Sequence, residues 1–201
     1  MTRTVLIVAG VSLAVWSAPL DAQACGLTLR VTAAWPLEDL PPEASPSRRL
    51  GFGPGGGVGV SCRSRAGLGY GGTLLVQDFD WITAAYALGE IGTRLALGAE
   101  PTAPWLRPVA TAGLVYAGEL GSRTLELISG ENTKLPGGGF AFGGGARLGF
   151  PASGGAFFLE GLALGTFLDA KHVSIGGEPD RELGFRGFLA PLVTIGYQFT
   201  P

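Results

Sequence analysis

The stretch FRGFLAPLVTIGYQF, residues 185–199, decides the fold class. Its large apolar side chains fall mostly on odd positions, and the even positions carry mainly small or polar residues, with Phe188 and Leu192 as two exceptions. A repeat of two residues is typical of a β-strand with one apolar face and one mixed face. This stretch therefore predicts a strand that runs almost to the end of the sequence.

The same alternation recurs along the rest of the chain. It is clearest in residues 27–35, where apolar odd positions alternate with Thr28, Arg30 and Thr32. Short turns are expected after the second, fourth and sixth strands, and long loops after the first, third, fifth and seventh. The loop after the third strand is expected at residues 77–86. The periodicity predicts eight strands, near residues 27–35, 50–62, 68–76, 90–98, 105–117, 140–150, 156–167 and 185–199.

An even number of strands joined by alternating short and long connections is what bacterial outer-membrane barrels show. The ending Gly196-Tyr197-Gln198-Phe199 resembles the C-terminal insertion strand of that class, although Thr200-Pro201 follow the last aromatic residue. We therefore expect an all-β fold, an eight-stranded antiparallel up-and-down transmembrane β-barrel, similar in plan to the small OmpA- and OmpX-like barrels. The resemblance implies outer-membrane lipid and lipopolysaccharide as partners, and the barrel-assembly machinery as a partner of the C-terminal strand.

The first 24 residues have the pattern of an export signal. Arg3 gives a basic start, residues 5–16 are apolar, and Ala22-Gln23-Ala24 is a small-x-small cleavage site. A lipoprotein signal that precedes Cys25 remains an alternative. We expect residues 1–24 to be a signal peptide and residues 25–201 to be the barrel domain, located in the outer membrane of a Gram-negative-type bacterium. After residue 24 no window of ~20 apolar residues remains, so a membrane-embedded chain would have to close into a barrel.

Composition narrows the function classes. The chain has 201 residues, 35 of them glycine, with 15% charged residues and a net charge of −2, so it gives no electrostatic reason to expect a nucleic-acid partner. Two matches to the dinucleotide-binding pattern, in residues 51–56 and 67–72, lie in predicted strands with no helix after them to receive a pyrophosphate. We attribute them to the glycine content. We expect no cofactor, and a monomer.

The two cysteines, Cys25 and Cys62, provide a test of the topology. In an up-and-down barrel the first strand starts where the second one finishes, which brings both cysteines to one level of neighbouring strands with the same facing. We therefore predict a disulfide between them in an exported chain. Two cysteines and one distant histidine are too few for a tetrahedral metal site.

The charged residues within the strands lie opposite the apolar faces. If the apolar faces contact lipid, these charges point into the barrel, where they would form a structural salt-bridge network. The alternative is a cationic, porin-like lumen that passes or holds anions, but an eight-stranded barrel has a nearly filled interior, and we favour the structural network. The predicted network comprises Arg30, Glu90, Arg94, Arg107, Arg147, Glu160 and Arg186.

One further motif bears on catalysis. His172-x-Ser174 late in a small outer-membrane barrel resembles the lipid A 3-O-deacylases, in which a histidine activates a serine. The resemblance implies His172 as the base and Ser174 as the nucleophile, with Glu178 or Glu182 orienting the histidine. The family continues with Asn-Ala, whereas here Ile-Gly follows. We prefer a non-enzymatic interpretation.

The sequence thus predicts an outer-membrane protein with a structural or surface-contact role through its long external loops. The alternatives are a lipid A deacylase-like hydrolase and a soluble exported barrel that binds an apolar ligand inside. The soluble barrel would have its apolar faces inward, and periodicity reports faces without their direction. Aromatic residues near the predicted strand ends favour contact with lipid.

Overall fold

A computed structural model describes residues 22–37, 52–64, 67–79, 82–100, 102–118, 137–170 and 184–200. Within these ranges all regular structure is β-strand, and no helix there is long and apolar enough to cross a membrane. The strands are β1 (Ala22–Ala34), β2 (Gly53–Ser64), β3 (Leu68–Phe79), β4 (Ile82–Thr93), β5 (Leu95–Ala96), β6 (Trp105–Gly118), β7 (Gly137–Ala152), β8 (Gly155–Ala170) and β9 (Gly184–Phe199). The full-length β4 and the two-residue β5 are parts of one barrel strand, separated by Arg94.

The strands close into a barrel. Strands that follow one another in sequence pair antiparallel, except that β4 and β5 both pair with β6, and β1 pairs with β2 on one side and with β9 on the other. Closure gives every strand except the two-residue β5 two hydrogen-bonded neighbours. The predicted all-β, eight-stranded antiparallel up-and-down barrel is confirmed.

The two ends of the barrel differ in their connections. At one end, which we call the turn end, β2 is followed by β3 after three residues, β7 by β8 after two, and β5 by β6 after eight. At the other end, the loop end, three connections span residues 35–52, 119–136 and 171–183. The predicted long loop after the third strand is wrong, because β3 ends at Phe79 and β4 begins at Ile82.

The reason for that error lies in the composition of β4. Its outward positions include Thr83 and Ala85, whereas its inward positions include Ala84, Tyr86 and Leu88, all three of which are buried. The usual contrast between an apolar outer face and a polar inner face is therefore absent here. Alternation that lacks this contrast reads as irregular chain, which is why the strand was expected to begin only near residue 90.

The apolar faces of most strands point out of the barrel. In β1, Leu29 and Val31 are exposed, Val31 to 71%, whereas Thr28 and Thr32 are buried. The same division holds where the sequence was ambiguous, since Phe157 points outward and Phe158 is buried. The apolar faces of the strands therefore point out of the barrel, a direction that the periodicity of the sequence left open.

The lumen is filled by two kinds of side chain. The half towards the loop end holds a cluster of buried apolar residues that includes Phe79, Tyr86, Leu164 and Phe188. The half towards the turn end holds most of the buried charges. Glycines on the inner face make room for these groups: a Cβ at Gly59 would lie 2.8 Å from the hydroxyl oxygens of both Thr28 and Thr73.

Candidate functional site: the charged half of the lumen

Four charged side chains from four strands meet in the lumen. Each of them is at most 7% exposed. Nη1 of Arg30 lies 2.6 Å from Oε1 of Glu90 and 3.2 Å from Oε1 of Glu160. Nη2 of Arg147 lies 2.9 Å from Oε2 of Glu90, and its Nε donates to Oε2 of Glu160 at 2.6 Å. Each arginine therefore bridges both glutamates, and we call this ring the charge quartet.

The strand register explains how the charge quartet assembles. Arg147 of β7 and Glu160 of β8 are direct cross-strand partners. The other two members come from β1 and β4, which are not neighbours of β7 or β8 in the barrel. They reach the same level only because the sheet closes, so side chains from opposite walls meet across a narrow lumen.

Two neighbours complete the surroundings of the charge quartet. Thr73 donates its hydroxyl to Oε1 of Glu90 at 2.9 Å. The ring of Phe158 lies 4.7 Å from the guanidinium carbon of Arg147 and 5.7 Å from that of Arg30, within cation–π range. Gly196 faces this ring, and a Cβ there would collide with it. The glycine on β9 thus leaves the space that the ring of Phe158 on β8 fills.

The charge quartet is electrically balanced, with two positive and two negative groups. A buried charge without a partner costs several kcal/mol, so four ionised groups are tolerated at this depth because each has two opposite partners. Since none of the four is more than 7% exposed, the ring fills this level of the lumen. Such an arrangement holds four strands together.

The remaining members of the predicted network lie elsewhere. Arg107 is buried, and its Nη1 donates to the hydroxyl oxygen of Ser61 at 3.1 Å. Arg94 was expected to join the interior charges, but it is exposed at the turn end, where the strand is interrupted between β4 and β5, and its guanidinium stacks over the ring of Trp105 at 4.7 Å. Arg186 lies in β9, and its side chain is outside the described part of the structure.

A cavity of about 260 Å³ opens at the turn end. We call it the turn-end mouth. Its walls come from the start of β1, β3 and β6 and from the end of β2 and β9. Sequence reasoning did not identify Arg63, Trp105 or Ser61 as lining one site with Arg94 and Arg107. The shared inward parity of Trp105 and Arg107 was the available signal, but residues on other strands could be added only after the barrel closed. The lining residues are Cys25, Gly26, Ser61, Cys62, Arg63, Gly67, Gly69, Arg94, Trp105, Arg107, Gln198 and Thr200.

The predicted disulfide is confirmed. Cys25 and Cys62 are direct partners in the register of β1 and β2, and their sulfur atoms are bonded. The bridge joins positions 37 residues apart at the turn end and forms part of the wall of the turn-end mouth. It therefore fixes the register of two strands where the cavity opens.

The candidate catalytic residues His172, Ser174, Glu178 and Glu182 lie outside the described residues. The same holds for residues 1–21 of the predicted signal peptide, whose cleavage site, after Ala24, falls just inside β1. Among the residues that the structure does describe, no group of three or more histidine, cysteine, aspartate or glutamate side chains is arranged to hold a metal ion.

Comparison of the sequence with protein-family models gives no match, and no curated protein matches it.

Proposed function

We propose that this protein is a transmembrane β-barrel of the outer membrane of a Gram-negative-type bacterium, similar in plan to the OmpA- and OmpX-like barrels. Its role is structural or one of surface contact, exerted through the three long connections at the loop end. The short turns then face the periplasm, as they do in outer-membrane barrels in general. Lipid and lipopolysaccharide are its immediate surroundings, and the barrel-assembly machinery inserts it through β9.

The observation that carries this proposal is the apolar outer surface. A soluble monomer rarely exposes a continuous apolar patch larger than a few hundred Å². Here large apolar side chains face outward from strands around the whole barrel. These exposed residues are Leu27, Leu29, Val31, Trp35, Leu37, Phe52, Val58, Val76, Ile91, Leu95, Leu97, Leu114, Tyr116, Phe140, Phe142, Phe150, Phe157, Leu159, Leu189, Val193, Ile195 and Phe199.

The distribution of charge supports the same environment. Of the described charged side chains, those that are exposed lie near strand ends or in a turn: Arg63, Asp78, Arg94 and Glu100. An arginine or lysine on the lipid face near the bilayer centre costs ~2–4 kcal/mol, and this cost falls towards the interfaces. The middle of the outer surface is free of such residues in the part of the barrel that the structure describes.

Aromatic side chains lie at both ends of this surface. At the loop end, Trp35 contacts Phe52 with ring centroids 5.2 Å apart. At the turn end, Tyr197 contacts Phe157 and Phe199, with centroids 4.8 and 4.7 Å away. Outer-membrane barrels carry aromatic girdles at both membrane interfaces. The two clusters therefore mark the edges of a band suited to hydrocarbon.

Strand length agrees with that band. The shortest full strands, β2, β3 and β4, have 12 residues each. Twelve residues at ~3.3 Å each, tilted by ~45°, cross ~28 Å, which is close to the ~30 Å hydrocarbon core of a bilayer. The soluble-barrel alternative requires the apolar faces to point inward, and it does not account for this outer surface.

The test is to express the full-length chain in a bacterium with two membranes and to compare the gel mobility of the outer-membrane fraction with and without boiling. We expect the protein in that fraction, with a mobility that changes on boiling. Recovery from the soluble periplasm would contradict the proposal.

A pair of variants makes the test specific to lipid contact. Val31→Arg places a charge on the outer surface within β1, whereas Asp78→Arg places the same charge near the end of β3. We expect Val31→Arg to reduce the amount of heat-modifiable protein in the outer membrane and Asp78→Arg to leave it near the wild-type level. Equal behaviour of the two variants would mean that the outer surface does not contact hydrocarbon.

A further inference from the structure

The turn-end mouth combines buried donors that lack partners. Arg107 is 4% exposed and Trp105 is 3% exposed, and both line this cavity. Nε and Nη2 of Arg107 and Nε1 of Trp105 have no hydrogen-bond partner in the described structure. Leaving a buried donor unpaired costs ~1–3 kcal/mol, so such groups call for an explanation. All three groups are N–H donors, and the missing partner is therefore an acceptor.

The charged residues around the cavity indicate that this acceptor is an anion. Arg63 and Arg94 line the same cavity as Arg107, and none of the three takes part in an ion pair among the described residues. The carboxylates of Glu90 and Glu160 are engaged by Arg30 and Arg147. The residues that line the turn-end mouth include no aspartate or glutamate. Three guanidinium groups in a cavity whose lining has no carboxylate side chain create a positive potential that favours an anion.

The guanidinium of Arg107 also lies in a slot formed by glycines. A Cβ at Gly69 would lie 2.8 Å from its Cζ, and a Cβ at Gly92 would lie 3.0 Å from its Nε. Its Nη1 donates to the hydroxyl oxygen of Ser61. These contacts hold the group in place, and the N–H groups of two nitrogen atoms, Nε and Nη2, are left without an acceptor. A planar guanidinium that presents two donors matches two oxygen atoms of one oxyanion.

We propose that the turn-end mouth binds a phosphate group. Arg107 and the indole N–H of Trp105 would donate hydrogen bonds to its oxygen atoms, and Arg94 and Arg63 would supply further positive charge at the rim. A phosphate offers more oxygen acceptors than a carboxylate, which suits donors that come from several walls of the cavity. The group comes either from free phosphate or from the headgroup of a phospholipid. This inference concerns the mouth of the closed barrel, and it can fail while the membrane assignment holds.

The test uses the folded barrel in a neutral detergent and follows the NMR signal of the Trp105 indole N–H during titration with inorganic phosphate. The signal is identified by its loss in Trp105→Phe. We expect a saturable shift with phosphate and none with sodium chloride at equal ionic strength. No shift with phosphate, and none in the bilayers described below, would overturn the proposal.

Charge-removing variants separate a site from general attraction. Arg107→Gln and Arg94→Gln should each weaken phosphate binding about tenfold, because each removes a charged group that faces the anion. Lys134→Gln, which removes the same charge from the sequence between β6 and β7, is the matched control and should bind as the wild type does. A shift of equal size in all three variants would refute the site. If Arg107→Gln does not fold, Arg94→Gln decides the matter, because its side chain is exposed.

The source of the phosphate is resolved in bilayers. The barrel is placed in nanodiscs of a phosphate-free galactosyl diacylglycerol alone, or of this glycolipid with phosphatidylglycerol. A shift of the Trp105 signal in the phosphatidylglycerol discs without added phosphate, lost in Arg94→Gln, assigns the site to a lipid headgroup. A shift that needs inorganic phosphate in both kinds of disc assigns it to the free anion.

Discussion

The two halves of the lumen are stabilised in different ways. Towards the loop end, side chains such as Phe79, Leu164 and Phe188 fill the barrel by apolar packing, and Phe79 and Phe188 meet edge to face at 5.8 Å. Towards the turn end, the charge quartet and Arg107 fill it with ionised groups. Apolar packing depends on total volume, whereas a buried ion network depends on every member being present. We therefore expect one half of the lumen to tolerate substitutions that conserve volume, and the other, demanding half to be destabilised by the loss of any one charged group.

The few polar contacts of the apolar half confirm the contrast. Thr32 donates to Oε1 of Gln77 at 2.7 Å, and the hydroxyl groups of Tyr86 and Thr166 lie 3.3 Å apart. These are neutral pairs, each worth ~1 kcal/mol. The comparison predicts that removal of one charged group is more costly than removal of an apolar side chain of similar size.

The largest effect is expected for Glu160→Ala. This change leaves Arg147 with only one carboxylate partner in a fully buried position, and we expect the free energy of unfolding to fall by about 4 kcal/mol. The measurement is urea-induced unfolding of the detergent-folded barrel. Glu100→Ala, at an exposed position of the turn end, is the control and should change stability by less than ~0.5 kcal/mol. A similar small loss for both variants would show that the charge quartet is not a stabilising network.

A smaller loss is expected for Leu164→Ala in the apolar half. The change leaves a cavity among buried side chains and should cost about 3 kcal/mol in the same unfolding experiment. Leu164→Met conserves volume and should cost less than ~1.5 kcal/mol. If Leu164→Met were as damaging as Leu164→Ala, this half of the lumen would be as demanding as the other.

A still smaller loss is expected for Thr73→Val. It keeps the shape of the side chain and removes the hydrogen bond to Glu90, whose carboxylate retains two arginine partners. We expect a loss of about 1 kcal/mol in urea unfolding. Thr83→Val removes an exposed hydrogen bond to Asp78 and should cost less than ~0.5 kcal/mol. The reverse order of the two losses would contradict the role given to Thr73.

The smallest net change is expected for the double variant Arg147→Met and Glu160→Leu. It replaces an ion pair with apolar groups and leaves Arg30 and Glu90 paired with each other. Substitution of a buried ion pair by apolar residues is often neutral, so we expect a change within about 1 kcal/mol, far less than for Glu160→Ala alone. Losses that simply add would mean that Arg147 and Glu160 are not coupled.

The apolar face of most strands and the disulfide could be predicted from the sequence, because they depend on alternation within a strand and on the pairing of strands that follow one another. Period-2 alternation identifies one apolar face of a strand, as in β1 and β9. Cys25 and Cys62 could be paired because the first strand of an up-and-down barrel starts at the level where the second strand finishes. The charged residues could be assigned to one face by their parity for the same reason.

The turn-end mouth and the position of Arg94 could not be predicted in this way. The lining of the mouth comes from strands that are distant in sequence, such as β2, β6 and β9. The tilt and stagger of the strands in the closed sheet decide which side chains meet across the lumen, and the alternation within a single strand determines neither of them. Arg94 has inward parity, but the strand is interrupted at this residue, which leaves its side chain at the rim.

The sequence alone determined that the chain forms strands, how many there are, which residues share a face, and which two cysteines bond. The closed barrel decided that the apolar faces point outward, that β4 begins two residues after the end of β3, and that Arg30, Glu90, Arg147 and Glu160 form one ring. Alternation is a property of neighbours along the chain, whereas direction and cross-lumen contact are properties of the closed sheet. The two faces of β4 do not differ in the usual way, with apolar residues outside and polar residues inside, so only the tertiary structure reveals this strand.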